Sequence, residues 1–364
     1  MSDVLCEVRG QLGLITLNRP QALNALSLSM IRALTICLLA WRADESIRAV
    51  AIRGSSKAGP FGAFCAGGDI RYFHQALLTG DPAAEDFFTE EYSLNHLIHS
   101  YPKPFIAFMD GVVMGGGMGL SQGASHRLVT ARSKLAMPET AIGLFPDVAG
   151  GYFLSRCPGF AGEWLALTGT TLAAGEAIAL GLADHCLAAE RLPQAWDALA
   201  QIKRLDPTRL QAWVAEFSTP DDATPGCDRS RIDAFFALDS VSDIVQALEA
   251  DACDWAQRTA THLRQRSPLM LHVALEQVRR ARHLTVAQDL RMERDMMRHC
   301  FFPRHLSRGG AQSEAAEGIR ALVIDKDKAP IWQPARIEDV TPDMVRPFFD
   351  SPWAAHSHPL RTLV

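Results

Sequence analysis

The stretch MPETAIGLFPDVAGG, residues 137–151, sets two carboxylates, Glu139 and Asp147, among residues that are otherwise almost all apolar or small. Pro138, Gly143 and Pro146 rule out one continuous helix between them, so the chain bends here and can aim both acids inward. An acid surrounded by Ala136, Met137, Ile142, Leu144 and Phe145 is poorly solvated. That raises its pKa and suits general acid–base or nucleophilic chemistry. The plainer alternative is that Glu139 caps a helix and Asp147 a turn.

Two glycine-rich segments precede the acids. Gly115, Gly116 and Gly117 follow an apparent strand, KPFIAFMDG, and open a helix, so backbone N–H groups there can face an anion or a polarised carbonyl with no side chain in the way. That is half of an oxyanion hole, or else a tight turn with close helix packing. The triplet does not match the dinucleotide fingerprint GxGxxG. FCAGGD, residues 64–69, ends a second strand, and amides from two strand ends can converge on one oxygen. Asp69 reads as the N-cap of the helix DIRYFHQALL. GLSQG, residues 119–123, matches the nucleophile-elbow pattern, but its strand ends about ten residues earlier and the glycine triplet already makes the turn. Ser121 therefore reads as an ordinary helix residue.

The elements that must position these residues follow an α/β order. Residues 4–17 read as a β-hairpin turning at Gly10; Ser27 caps a helix; AVAIRG, FIAFM and HRLVTARSKLAM read as strands in strand-then-helix units. From about residue 160 the pattern is helical. SPLMLHVALEQVRRAR and VAQDLRMERDMMRHCF read as amphipathic helices, STPDDATPGCDRS as a surface loop, and the Pro- and Trp-bearing tail as extended chain with one last short helix. This suggests a core over residues 1–200 and a helical region over 201–364.

The chain of 364 residues, 48% hydrophobic and with a formal net charge of −5, can bury a full core and offers no basic field for nucleic acid. Its start, MSDVLCEVRG, lacks the apolar centre of a signal peptide, and no apolar run is long enough to span a membrane, which points to the cytoplasm. The eight cysteines lie far apart without a CxxC pair, so neither a disulfide framework nor a metal site is expected.

FCAGGD, MDGVVMGGGMGL and MPETAIGLFPDVAGGYFLSR, in this order, resemble the crotonase (enoyl-CoA hydratase/isomerase) superfamily, most closely its 3-hydroxyisobutyryl-CoA hydrolase branch. NRPQALNALS, LTGTTLAAGEAIALGLADH and EGIRALVIDKDKAPIWQP extend the likeness over nearly the whole chain. The resemblance implies a crotonase fold of repeated ββα units, forming two near-perpendicular sheets, with a C-terminal helical region. It implies an oxyanion hole at the amides of Gly68 and Gly116, a catalytic Glu139, and in Asp147 the aspartate that distinguishes the hydrolase branch. It also sets Glu91, Ala66, Gly67 and Gly116 against the substrate, although Glu91 by itself reads as a solvated helix face.

Hydratases of the superfamily carry a second catalytic glutamate where this chain has Gly119, which disfavours hydration. Within the branch, SEAAEG and His272 depart from the usual residues, so the acyl chain is where a difference is expected. The implied reaction is thioester hydrolysis, Glu139 acting either as nucleophile or as general base, with no metal or redox cofactor and with CoA as part of the substrate. The alternatives are hydration or isomerisation of an enoyl-CoA, a non-catalytic acyl-CoA-binding protein, and a serine thioesterase using Ser121. Homo-oligomers are common in the superfamily. Lys57, Arg71 and Lys103 are the candidates for holding the CoA phosphates.

Overall fold

The computed structural model describes residues 2–219 and 228–364; residues 220–227 of the polar run expected as a surface loop lie outside the described residues. The chain forms two compact units, each assembled from separate stretches. One comprises Met1–Gly68, Leu94–Ala136 and Thr171–Gly226; the other comprises Asp69–Ser93, Met137–Thr170 and Cys227–Val364. Compactness thus divides the chain differently from a cut near residue 200.

The first unit is built on a sheet. Strands β1 (Val4–Arg9) and β2 (Leu12–Leu17) form the expected hairpin, in register from Val4 opposite Leu17 to Arg9 opposite Leu12. β3 (Ala49–Ser56) runs parallel to β2 and pairs at its end with the short β4 (Gly59–Pro60). β5 (Phe105–Met109), β7 (His126–Val129) and β9 (His185–Cys186) extend the sheet in parallel, while β6 (Val112–Met114) and β8 (Lys134–Ala136) form a separate parallel pair. The central strands AVAI and FIAFM are buried along their whole length, which is why they read as continuous apolar runs. Leu12, Leu14, Ala49, Ala51, Ile106 and Phe108, at alternate positions of β2, β3 and β5, share a core with Trp196, Trp213 and Phe217.

HRLVTARSKLAM, expected as one strand, is two strands in different sheets. Thr130 and Ser133 close a turn between them: the Thr130 N–H donates to Ser133 Oγ at 2.8 Å and the Ser133 N–H to the Thr130 carbonyl at 2.9 Å. Helix α1 (Leu28–Ala43) starts as expected at Ser27, whose Oγ accepts the Met30 N–H. The structure corrects one other expectation here, because Cys6 of β1 and Cys37 of α1 form a disulfide. The packing of α1 on this strand creates the contact, and neither the 31-residue separation nor the flanking residues announces it.

The second unit is helical. Asp69 caps α2 (Ile70–Thr79) by accepting the Tyr72 N–H. Phe73 of α2 packs on Phe87 and Phe88 from the first part of α3 (Ala83–His99), with ring centroids 4.8 and 5.0 Å apart. The other helices that bear on the site are α4 (Gly116–Gln122) of the first unit and, in this one, α5 (Gly150–Leu154), α6 (Ala161–Thr168), α7 (Pro268–Ala281), α8 (Val286–Phe301) and α9 (Glu314–Ile319). The apolar face of α7 lies on α5 and α6. The tail holds several short helical turns between Ile337 and Ser357 where one was expected. Among the described residues, no helix is long and apolar enough to cross a membrane.

Candidate active site

In the first unit the two glycine segments lie side by side. Cys65 forms an isolated parallel bridge with Val113: its N–H donates to the Val112 carbonyl at 3.0 Å, and its carbonyl accepts the Met114 N–H at 3.0 Å. The pairing demands glycine at 117, where a Cβ would sit 2.3 Å from the Cys65 carbonyl oxygen. Asn24, wholly buried, fixes the approach to this corner, its Nδ2 donating to the carbonyls of Ser55, Ala63 and Phe64 at 2.8 to 3.0 Å. The Ala66 N–H is taken by Leu23 and the Gly67 carbonyl by the Leu26 N–H. Among the described residues, none of the hydrogen bonds holding the corner uses the N–H of Gly68 or Gly116, the two expected to serve as oxyanion donors. Gly116 is the first residue of α4, where an amide has no partner within the helix.

In the second unit, Glu139 opens a 3₁₀ turn (Glu139–Ile142) that ends at Gly143, where φ is +72°. Glycine is needed there twice over, since a Cβ would also lie 2.1 Å from the Glu314 carbonyl oxygen. Glu139 and Asp147 are 7% and 9% exposed, so the bend does turn both inward. Burial pushes the Glu139 carboxyl well above the usual range, and the charge of Asp147 pushes it further. Burial also lifts Asp147, to about 6, although the Tyr92 hydroxyl, which donates to its Oδ2 at 2.8 Å, favours the ionised form. Both carboxyls of the pair are therefore held above the ordinary carboxylate range by burial, and the Asp147 charge adds to the effect at Glu139.

Glu91 is 2% exposed and one of its carboxyl oxygens has no hydrogen-bond partner, which corrects its reading as a solvated helix face. Burial and then the charge of Asp147 raise its pKa. The next residue, Tyr92, was not singled out in the sequence. Nor were three groups behind Asp147: Gln277 of α7, and Asp289 and Glu293 of α8. A signal for the two acids was present, since positions 289, 293, 296 and 300 fall on one helix stripe with Met296 and Cys300.

The family model for enoyl-CoA hydratase/isomerase matches residues 12–349. The chain belongs to this family. It is 36% identical over 96% of its length to 3-hydroxyisobutyryl-CoA hydrolase 1 of Arabidopsis thaliana, covering 92% of that protein. It is 37% identical, again over 96%, to the mitochondrial 3-hydroxyisobutyryl-CoA hydrolase of Rattus norvegicus, covering 89% of it. Among solved structures, a carnitinyl-CoA dehydratase from Mycobacterium thermoresistibile superposes with a TM-score of 0.86 at 37% identity, covering 96% of both chains. An enoyl-CoA hydratase from Rhodobacter sphaeroides 2.4.1 gives 0.85 at 35% identity, covering 96% of this chain and 98% of the other. The crotonase fold expected from the motifs is thus the fold of this chain.

Other residues of this hydratase/isomerase-family chain can now be placed. Ser121 is wholly buried inside α4, its Oγ donating to the Gly117 carbonyl at 2.9 Å, so it has none of the exposure an elbow nucleophile needs. Gly119 is buried in the same helix. Of the basic candidates for the CoA phosphates, Lys103 is committed to the end of α1, donating to the carbonyls of Trp41 and Asp44.

Proposed function

We propose that this chain hydrolyses a short-chain 3-hydroxyacyl-CoA thioester, converting 3-hydroxyisobutyryl-CoA to 3-hydroxyisobutyrate and CoA. The observation that carries this reading is the buried acid pair, Glu139 and Asp147, on one bent segment, in a chain with Gly119 where the family resemblance puts a hydratase's second glutamate. The curated relatives that match almost end to end bear the hydrolase name.

In this mechanism the Gly68 and Gly116 amides receive the thioester oxygen as charge develops on it. The Glu139 carboxylate adds to the carbonyl carbon, the C–S bond breaks as the tetrahedral intermediate collapses to an acyl-Glu139 anhydride, and the departing thiolate takes its proton from water. Water then opens the resulting anhydride. Alternatively Glu139 takes a proton from water, which attacks in its place. Asp147 holds the 3-hydroxyl group or orients the water that protonates the thiolate, and Glu91, Ala66 and Gly67 line the acyl site. The chemistry needs no cofactor beyond the CoA that the substrate carries. Valine breakdown, a cytoplasmic setting and assembly into homo-oligomers belong to the same proposal.

The second reading, hydration of an enoyl-CoA, is favoured by the name of the enoyl-CoA hydratase among the solved structures. Purified protein mixed with 3-hydroxyisobutyryl-CoA and followed for free thiol tests the first; crotonyl-CoA followed for loss of enoyl absorbance tests the second. Thiol release with crotonyl-CoA untouched is the expected result. Loss of enoyl absorbance without thiol release makes the protein a hydratase.

A further inference from the structure

Asp147 stands on a stretch of backbone held from behind. Val148 and Ala149 both take left-handed φ angles, 58° and 67°, which a β-branched residue and an alanine adopt only where the surroundings impose them. Glu293 of α8 accepts the N–H of Ala149 on Oε2 at 2.8 Å and that of Gly151 on Oε1 at 3.0 Å. Asp289, one turn earlier on the same helix, accepts the N–H of Tyr152 at 2.8 Å. Gln277 of α7 donates to the Pro146 carbonyl at 2.6 Å and to Glu293 Oε1 at 3.0 Å. All three side chains are 0% exposed, and the segment is pinned on both sides of Asp147.

We propose that Glu293, Asp289 and Gln277 are positioning residues that lock residues 146–152 and so aim the Asp147 carboxylate, with Tyr92 fixing its other end. The inference rests on reading Asp147 as part of the reacting site. Two wholly buried carboxylates are costly, and filling this space for stability alone calls for apolar side chains. A carboxylate does here what an isosteric amide cannot, because both of its oxygens accept, whereas an amide turns one donor toward a donor. Val148 and Ala149 can relax toward ordinary φ values once that grip is lost, and Asp147 moves with them.

Glu293→Gln tests this beside Leu290→Ala, which removes packing from the same buried helix face without touching the pinning groups. For Glu293→Gln, kcat is expected to fall about 100-fold with KM held within roughly threefold. Hydrogen exchange of the 147–154 amides should quicken in this variant and not in Leu290→Ala, whose kcat below its Tm stays within about twofold. If Glu293→Gln does not fold, Gln277→Leu carries the same comparison with a loss of about tenfold. Equal kcat in Glu293→Gln and Leu290→Ala, or unchanged exchange at 147–154, overturns the proposal. Absence of thiol release by the unaltered protein would instead count against the hydrolase reading. The comparison is then made with whichever CoA ester is turned over, and exchange still reports the grip.

Discussion

The glycine corner and the acid segment solve opposite problems. At residues 65–68 and 113–117 the chain removes side chains so that two backbone stretches meet and amides are left over; a Cβ at Gly117 would collide with Cys65. At residues 137–152 the chain keeps its carboxylates and buries them, and distant helices supply Tyr92 to the Asp147 carboxylate and Glu293 and Asp289 to the backbone beside it. The first kind of site announces itself in glycines and the strand ends before them, with Asn24 fixing their approach. The second is a property of the folded unit.

The largest effect should come from the acid side. With Glu139→Gln the carboxylate is gone while size and burial are kept, so thiol release should fall by about 10³- to 10⁴-fold with substrate binding retained. A loss under about tenfold would move the chemistry away from this segment and undo the contrast.

Asp147→Asn sharpens the same side through its pH dependence. Glu139 must be ionised to act, and its pKa is raised by burial and by the Asp147 charge, so kcat/KM should climb as pH rises through that pKa. Removing the charge lowers the Glu139 pKa, and the acid limb moves to lower pH. A drop in kcat of about 100-fold should accompany the move. A limb that stays in place while kcat falls would mean that the two carboxylates are not coupled.

That division also explains what could be read in advance. The hairpin, the Ser27 and Asp69 caps, the strands AVAI and FIAFM and the glycine corner follow from neighbours in sequence, and all were legible. Glu139 and Asp147 stood out because their surroundings in sequence are apolar. Glu91 did not, since TEEYSLNHL has the look of a wet helix, and only packing shows which of its acids faces inward. Asp289 and Glu293 were readable from their place on the stripe with Met296 and Cys300, whereas nothing in the sequence disclosed the Cys6–Cys37 pairing. The break in HRLVTARSKLAM depends on a side-chain-to-backbone turn that short apolar flanks do not disclose.

On the glycine side, Gly117→Ala should be damaging for reasons of space alone. The added methyl must push α4 from Cys65, costing roughly 1–3 kcal/mol of stability. It should also lower kcat by about tenfold as the Gly116 amide shifts. Thermal unfolding and thiol release read the two effects separately. A variant that loses stability but keeps full kcat would show that the corner is packing and not an oxyanion site.

Ser121→Ala lies on the same helix, four residues further on, and should do least. Its Oγ bonds within α4, to the Gly117 carbonyl and, at 3.2 Å, to that of Met118, and both carbonyls remain in the helix when the hydroxyl is removed. Thiol release should stay within about twofold, with stability lower by about 1 kcal/mol at most. The two substitutions separate the roles of α4, because Gly117→Ala disturbs the amides at its start while Ser121→Ala removes the one side chain with the letters of a nucleophile. Abolition of thiol release by Ser121→Ala would place the chemistry on that hydroxyl, and the buried acids would then need another explanation.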